Sequence, residues 1–272
     1  MKILYMSDLH LEINGHNALT KKFAPADVLI VAGDLVAVDY CKHRMNDPIA
    51  RSIKKAVDKF KTKIKDYKKV FLVAGNHEYY HSVFSETIPA LRELFADCLN
   101  VEVLDKQTSV FEDVLFFGAT FWTNFGHHNP VAMEAAQFRM NDYRLIYKTS
   151  KLMRDPIHPD LTFNEHLETM RILKTTLEHH KDEIVVVIGH HAPCALSLNK
   201  NHSGNELDDA YYSDLSNFIM ERPQIKLWFH GHCHMSTDYM IGETRILSNQ
   251  SGYYMEPQFK EFRPNKIIEI NG

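Results

Sequence analysis

An α/β fold follows from three features of the chain. Short apolar, β-branched runs recur along it, helical patterns stand between several of them, and most runs end in a polar, Gly-containing turn. Strands that alternate with helices build largely parallel sheets, buried on both faces, and so read as unbroken apolar stretches. With hydrophobic residues at 44% and charged residues at 24%, the 272-residue chain can fill such a core. No Ser/Gly-rich linker, repeat or low-complexity stretch divides it, so one domain over residues 1–272 is expected.

Taken in order, strands are expected at residues 3–6 and 28–32. A helix follows, with Ile49, Ile53, Val57, Phe60 and Ile64 on one face. Further strands are expected at 70–74, 114–119, 184–188 and 227–229, and further helices at 83–96, 163–180 and 213–221. Residues 121–160, rich in Asn, His, Met and aromatics, break this rhythm and read as an elaborated loop region over the site. Residues 245–248 and 266–269 look like strands with no long helix between them, which calls for a mixed sheet or a second sheet.

The amino terminus is apolar only as far as residue 6, too short for a signal h-region or a membrane span, so no membrane contact is expected. Cys41, Cys98, Cys194 and Cys233 form no C-x-x-C pair and suggest neither a zinc knuckle nor a disulfide framework, which fits a reducing cytoplasm. A formal net charge of −4 gives no global field for nucleic acid. Residues 42–69 do hold eleven Lys and Arg against three Asp. Such a run reads as the solvated face of an amphipathic helix, so nucleic acid is not the expected partner.

Five polar clusters carry the chemistry. Asp8-Leu9-His10 follows the first strand, Gly33-Asp34 the second and Gly75-Asn76-His77-Glu78 the third; Gly189-His190-His191-Ala192-Pro193 and Gly231-His232-Cys233-His234 follow later ones. Strand ends are where open α/β sheets place ligand-binding groups. Carboxylates, an amide oxygen and imidazoles together suit borderline divalent cations, which points to manganese, iron or zinc. Period-two geometry puts Asp8 with His10, and His232 with His234, on one side of a locally extended segment, so each pair can reach one centre. Any one cluster could be a plain turn or cap. Five in this order, at strand ends, make a metal site.

In order and spacing, the clusters from Asp8 to His234 resemble the signature of the calcineurin-like metallophosphoesterases: D-x-H, G-D, G-N-H-[DE], a later His, and G-H-x-H. The resemblance implies a four-layer α-β-β-α sandwich of two mixed β-sheets flanked by helices, with two divalent metal ions at one edge. It implies that Asp8, His10 and His234 hold one ion, that Asn76, His191 and His232 hold the other, and that Asp34 bridges them. It places His77 just outside as general acid. The fourth cluster has two adjoining histidines, which point opposite ways on a strand. His191 is preferred because His191-Ala192-Pro193 reproduces the family's His-x-Pro, and His190 is the alternative.

Two cations can clamp phosphoryl oxygens and activate a water, so hydrolysis needs no protein nucleophile. The chain agrees, with neither a GxxxxGK[ST] P-loop nor a GxSxG elbow. The expected function is metal-dependent hydrolysis of a small phosphoester, monoester or diester, with nucleotides among the substrates considered. A nuclease or a non-catalytic scaffold on the same fold are the alternatives, and the complete ligand set favours catalysis. After Gly33-Asp34 the chain lacks the Asp-Arg-Gly of the Ser/Thr protein phosphatases, which leaves the carboxylate partner of His77 open, with Asp39 as a candidate. Substrate contacts are expected from residues 121–144. There Phe121-Trp122-Thr123-Asn124 would form an aromatic wall and Arg139 and Arg144 would meet a phosphate.

Overall fold

The computed structural model of the chain describes residues 1–42, 47–150, 152–153, 155–198 and 204–270; Arg44 of the basic segment lies outside them. The strands, in chain order, are β1 (Lys2–Met6), β2 (Val28–Ala32), β3 (Lys69–Val73), β4 (Val101–Leu104), β5 (Gln107–Phe111), β6 (Val114–Gly118), β7 (Ile184–Ile188), β8 (Ile225–Phe229), β9 (Asp238–Ile241), β10 (Thr244–Leu247) and β11 (Ile267–Glu269). They form a five-stranded sheet, β11-β1-β2-β3-β4, and a six-stranded sheet, β5-β6-β7-β8-β10-β9. Both are mixed: β11 runs antiparallel to β1, β5 to β6 and β9 to β10, while the inner strands are parallel.

Alternation along each strand assigns the layers. In the first sheet Ile3, Tyr5, Val28, Ile30, Phe71 and Val73 face the second sheet and pack with Phe116, Val186, Ile188 and Phe229. Phe71 and Phe116 stack across this middle layer with ring centroids 4.3 Å apart. The alternate residues Leu4, Met6, Leu29, Val31 and Leu72 face helices on the outer side, and Val185, Val187 and Trp228 do the same for the second sheet. Each fully buried side chain of this size contributes about 2 kcal/mol of apolar burial. Two sheets with a helical cover on each outer face make the expected four-layer α-β-β-α sandwich.

The four longest helices are α1 (Pro48–Ile64), α2 (Phe84–Leu94), α3 (Pro130–Arg139) and α4 (Pro159–His179). Asp47 caps α1 by accepting from Ile49 N at 2.8 Å, with Pro48 in the first turn. Its inner face carries Ala50, Ile53, Ala56, Val57, Phe60 and Ile64, whereas Ile49, expected on that face, is 62% exposed.

Two expectations are corrected here. Residues 121–160 are not simply loop: they contain α3, a single helical turn at Asp142–Leu145 and a left-handed turn at Phe125–His128. The buried positions of α3 are Ala132, Met133 and Ala136, so it presents no broad stripe of large apolar residues to read. Strands β4, β5 and β9 were not anticipated, and all three are sheet edges, where polar residues are accommodated and no unbroken apolar run is needed. No described helix is long and apolar enough to cross a membrane.

Candidate metal centre

The loops that leave β1, β2, β3, β7 and β8 meet and are tied to one another through the backbone. Asp8 N donates to Gly33 O (3.0 Å), His10 N to Asp34 O (2.9 Å) and Gly231 N to His190 O (2.9 Å). Two carboxylates add cross-ties, with His77 N donating to Asp34 Oδ1 (2.8 Å) and His232 N to Asp8 Oδ1 (3.0 Å). The expected extended pairs are corrected by the dihedral angles. Asp8, His10, Asp34, His232 and His234 all have φ between 44° and 71°, in the left-handed region. Such residues cost on the order of 1 kcal/mol or more each and persist where surrounding bonds over-determine them. Gly33, at φ +85°, could not carry a side chain, because a Cβ there would sit 2.7 Å from Gly75 N.

Among the described residues three groups of ligand-type atoms converge within this frame, the atoms of each lying within 4.8 Å of one another: Asp8, His10 and His234; Asp34, His190 and His232; and His10, Glu12 and His77, where Glu12 Oε1 faces both Nδ1 atoms. In the first, His10 Nε2 and His234 Nε2 are 3.0 Å apart, and Asp8 Oδ1 is 3.6 Å from the latter. In the second, Asn76 Oδ1 lies 3.1 Å from both His190 Nε2 and His232 Nδ1, and Asp34 Oδ2 lies 3.3 Å from His190 Nε2. Asp34 Oδ2 is also 3.7 Å from His10 Nε2, so it stands between these two groups.

The outer nitrogens fix what the inner ones can do. His10 Nδ1 faces Glu12 (3.4 Å), His234 Nδ1 faces Glu256 (2.7 Å) and His190 Nδ1 faces the carbonyl of Ala32 (2.8 Å). Partners that can only accept place the proton on Nδ1 and leave the Nε2 lone pair facing inward, the arrangement that metal-ligating histidines have. Facing lone pairs 3.0 Å apart repel unless a proton or a cation lies between them. Asp8 Oδ2 and His232 Nε2 are buried without a hydrogen-bond partner, and the donor set of carboxylate, amide oxygen and imidazole fits a divalent cation. Asn76 is oriented in the same way: Asp142 Oδ1 accepts from its Nδ2 at 2.7 Å, which turns Oδ1 toward the histidines.

Charge within the protein is strongly coupled here. Burial acts to lower His190, but the charge of Asp34 prevails and raises it to about 10. For His77, burial is likewise outweighed by Asp34 and by Glu12, whose Oε1 lies 2.9 Å from Nδ1, and the imidazole rises to about 9. Burial and then the Asp34 charge push Glu78 up to about 7. Its carboxyl accepts from Asp34 N, Leu35 N, Val36 N and Gly75 N at 2.6–3.1 Å and so clamps the β2 and β3 loops together.

Residues 1–236 match the sequence profile described as calcineurin-like phosphoesterase. The chain belongs to this family. Calcineurin-like phosphoesterases are metal-dependent hydrolases of phosphoesters with a dinuclear centre, and this member has candidate metal-binding residue groups. Among similar proteins, Uncharacterized protein L509 of Acanthamoeba polyphaga mimivirus is 28% identical over 297 residues, spanning 100% of this chain and 98% of its own. Solved structures share the fold, two of them as follows. Phosphopantetheinyl Hydrolase (PptH) from Mycobacterium tuberculosis aligns with TM-score 0.71 at 16% identity, over 96% of this chain and 92% of that one. A dimetal phosphatase from Danio rerio aligns with TM-score 0.54 at 12% identity, over 95% and 90%.

Of the seven expected ligands of this calcineurin-like phosphoesterase, Asp8, His10, Asp34, Asn76, His232 and His234 come together, and His191 does not. His190, the alternative, stands with Asp34 and His232 instead. The Nδ1 of His191 faces Thr120 O (3.3 Å) and its ring packs against Trp122 and His232, while burial and then the charge of His190 lower it to about 3. Adjoining residues on an extended chain point opposite ways, and the Pro193 spacing does not report which one faces inward.

A cleft of about 890 Å3 opens over the centre. Arg139 lines it, paired with Glu206 at 3.2 Å. Arg144 does not: its guanidinium donates to Arg139 O (2.8 Å) and Met140 O (3.4 Å), closing the end of α3. The expected aromatic wall is also corrected. Phe121 packs on Trp228 and Trp122 on Tyr79, each only 3% exposed, so these rings are core. The aromatic groups in the cleft are Tyr80, Tyr211 and Tyr253. Sequence reasoning missed Glu12, Asp142 and Glu256 as orienting carboxylates. Only Glu12, two residues from His10, gave any local signal, and its Oε1 faces His77 Nδ1.

Proposed function

We propose that this calcineurin-like phosphoesterase hydrolyses a small, nucleotide-sized phosphoester at a centre in which Asp8, His10 and His234 hold one divalent cation and Asn76, His190 and His232 the other. Asp34 is shared between them. The observation that carries this reading is the inward convergence of imidazole lone pairs and carboxylate oxygens in two groups on either side of Asp34. Manganese, iron or zinc suits the mixed nitrogen and oxygen donors. When bound, the cations supply charge neutralisation for the phosphoryl group and lower the pKa of a water.

The remaining steps fall to the chain. His77, backed by Glu12 and lining the cleft, is placed to give a proton to the leaving oxygen. Tyr80 and Tyr211 offer faces for an organic group, and Arg139 offers a charge-assisted contact to an anion at the far wall. A cleft of about 890 Å3 is of the size that takes a nucleotide or a ligand of similar bulk. The names of the two solved relatives, a phosphopantetheinyl hydrolase and a phosphatase, support phosphoester hydrolysis without choosing the ester. Four unpaired cysteines support a reducing, cytoplasmic setting.

The test is a panel of para-nitrophenyl phosphate, bis-para-nitrophenyl phosphate, cyclic and linear nucleotides and single-stranded DNA, each assayed with Mn2+, Fe2+, Zn2+ or chelator. Metal-dependent turnover of the small esters is expected. Turnover of DNA alone would replace the proposal with a nuclease, and inactivity throughout would replace it with a scaffold.

A further inference from the structure

The loop after β10, beyond the last residue matched by the family profile, is built into the metal centre. Ser251 N donates to Ser7 O and Gly252 N to Asp8 O, both at 3.1 Å. Asn14, just past the first ligand loop, donates to Gly252 O (2.8 Å) and accepts from Tyr254 N (2.9 Å). Glu256 Oε2 accepts from Tyr253 N (2.9 Å) and holds His234 Nδ1. Together these bonds fix Tyr253, whose ring lies 4.7 Å from His10 and 4.6 Å from His234, and whose hydroxyl is 3.2 Å from His77 Nε2.

The two nitrogens of His77 are thus both engaged, Nδ1 by Glu12 and Nε2 by a phenol that lines the cleft. We propose that Tyr253 is a catalytic residue that relays the proton of His77 to the leaving oxygen. The inference rests on the acid role given to His77 above. As the bond from phosphorus to the leaving oxygen breaks, that oxygen takes the phenolic proton. The phenol oxygen takes the proton from His77 Nε2 with its vacant lone pair, so Tyr253 is neutral before and after and the imidazolium becomes imidazole. A phenol suits this task because it donates and accepts at one atom and stays protonated at neutral pH.

The experiment compares Tyr253→Phe, His77→Ala and the double variant on phosphoesters of equal charge and increasing leaving-group basicity, with metal content and melting temperature checked for each. Tyr253→Phe keeps the ring, and its kcat is expected to fall about 100-fold on an alkyl ester but less than about 3-fold on para-nitrophenyl phosphate, the range for losing one proton-transfer group. The double variant is expected to be no slower than His77→Ala. In the protein without added metal, the 15N resonance of His77 Nε2 should move in Tyr253→Phe while that of His166 stays. A steep dependence for His77→Ala with a flat one for Tyr253→Phe would overturn the relay alone. A flat dependence for His77→Ala would overturn the acid role, and the relay with it.

Discussion

His190 and His191 share a backbone and differ in what their rings face, and that difference decides which one can serve the centre. The Nε2 of His190 lies within 3.3 Å of Asn76 Oδ1 and Asp34 Oδ2, whereas the ring of His191 is packed against Trp122. His190→Ala is therefore expected to lose about one cation per chain and more than about 100-fold in kcat, while His191→Ala keeps both cations. Metal analysis of the two variants checks this, and the reverse pattern would restore His191. Asp142 acts one step further out. Because it orients Asn76 through Nδ2, Asp142→Ala should weaken the cation on the Asn76 side by about 10–100-fold and the other far less, as read by competition with a metallochromic dye.

At the level of elements, α4 is fastened to the loop after β6 by His166, whose ring bonds the carbonyl of Trp122. Burial lowers His166 from 6.5 to about 4, so the unfolded chain binds a proton that the folded chain refuses over that interval. The stability this residue gives is complete above pH 6.5 and is lost as the pH falls toward 4, a total of about 3 kcal/mol. Urea unfolding with chelator at pH 7.5 and 5 should show a steeper loss in the native protein than in His166→Phe; equal slopes would remove the assignment. The elements also show what sequence could reveal. β1, β2 and β3 were readable because they are buried on both faces, and the motifs because each is local to one strand end. The edge strands β4, β5 and β9 each carry polar residues such as Glu102, Ser109 and Asp238, and α3 buries only Ala132, Met133 and Ala136, so neither leaves a continuous apolar pattern.

In the whole molecule, two sheets bring five loops from distant parts of the chain to one place, and the carboxylates that orient the ligands arrive with them. Glu12, Asp142 and Glu256 are 130 and 114 residues apart in sequence yet stand around one centre, a meeting that only the topology creates. Ligand types were legible, their supports were not. In the proposed centre Asp34 is common to two cation sites, and counting cations per chain in Asp34→Ala against the native protein is the decisive measurement. Two in the native protein and fewer than one in the variant are expected. Two cations retained in Asp34→Ala would contradict the shared centre.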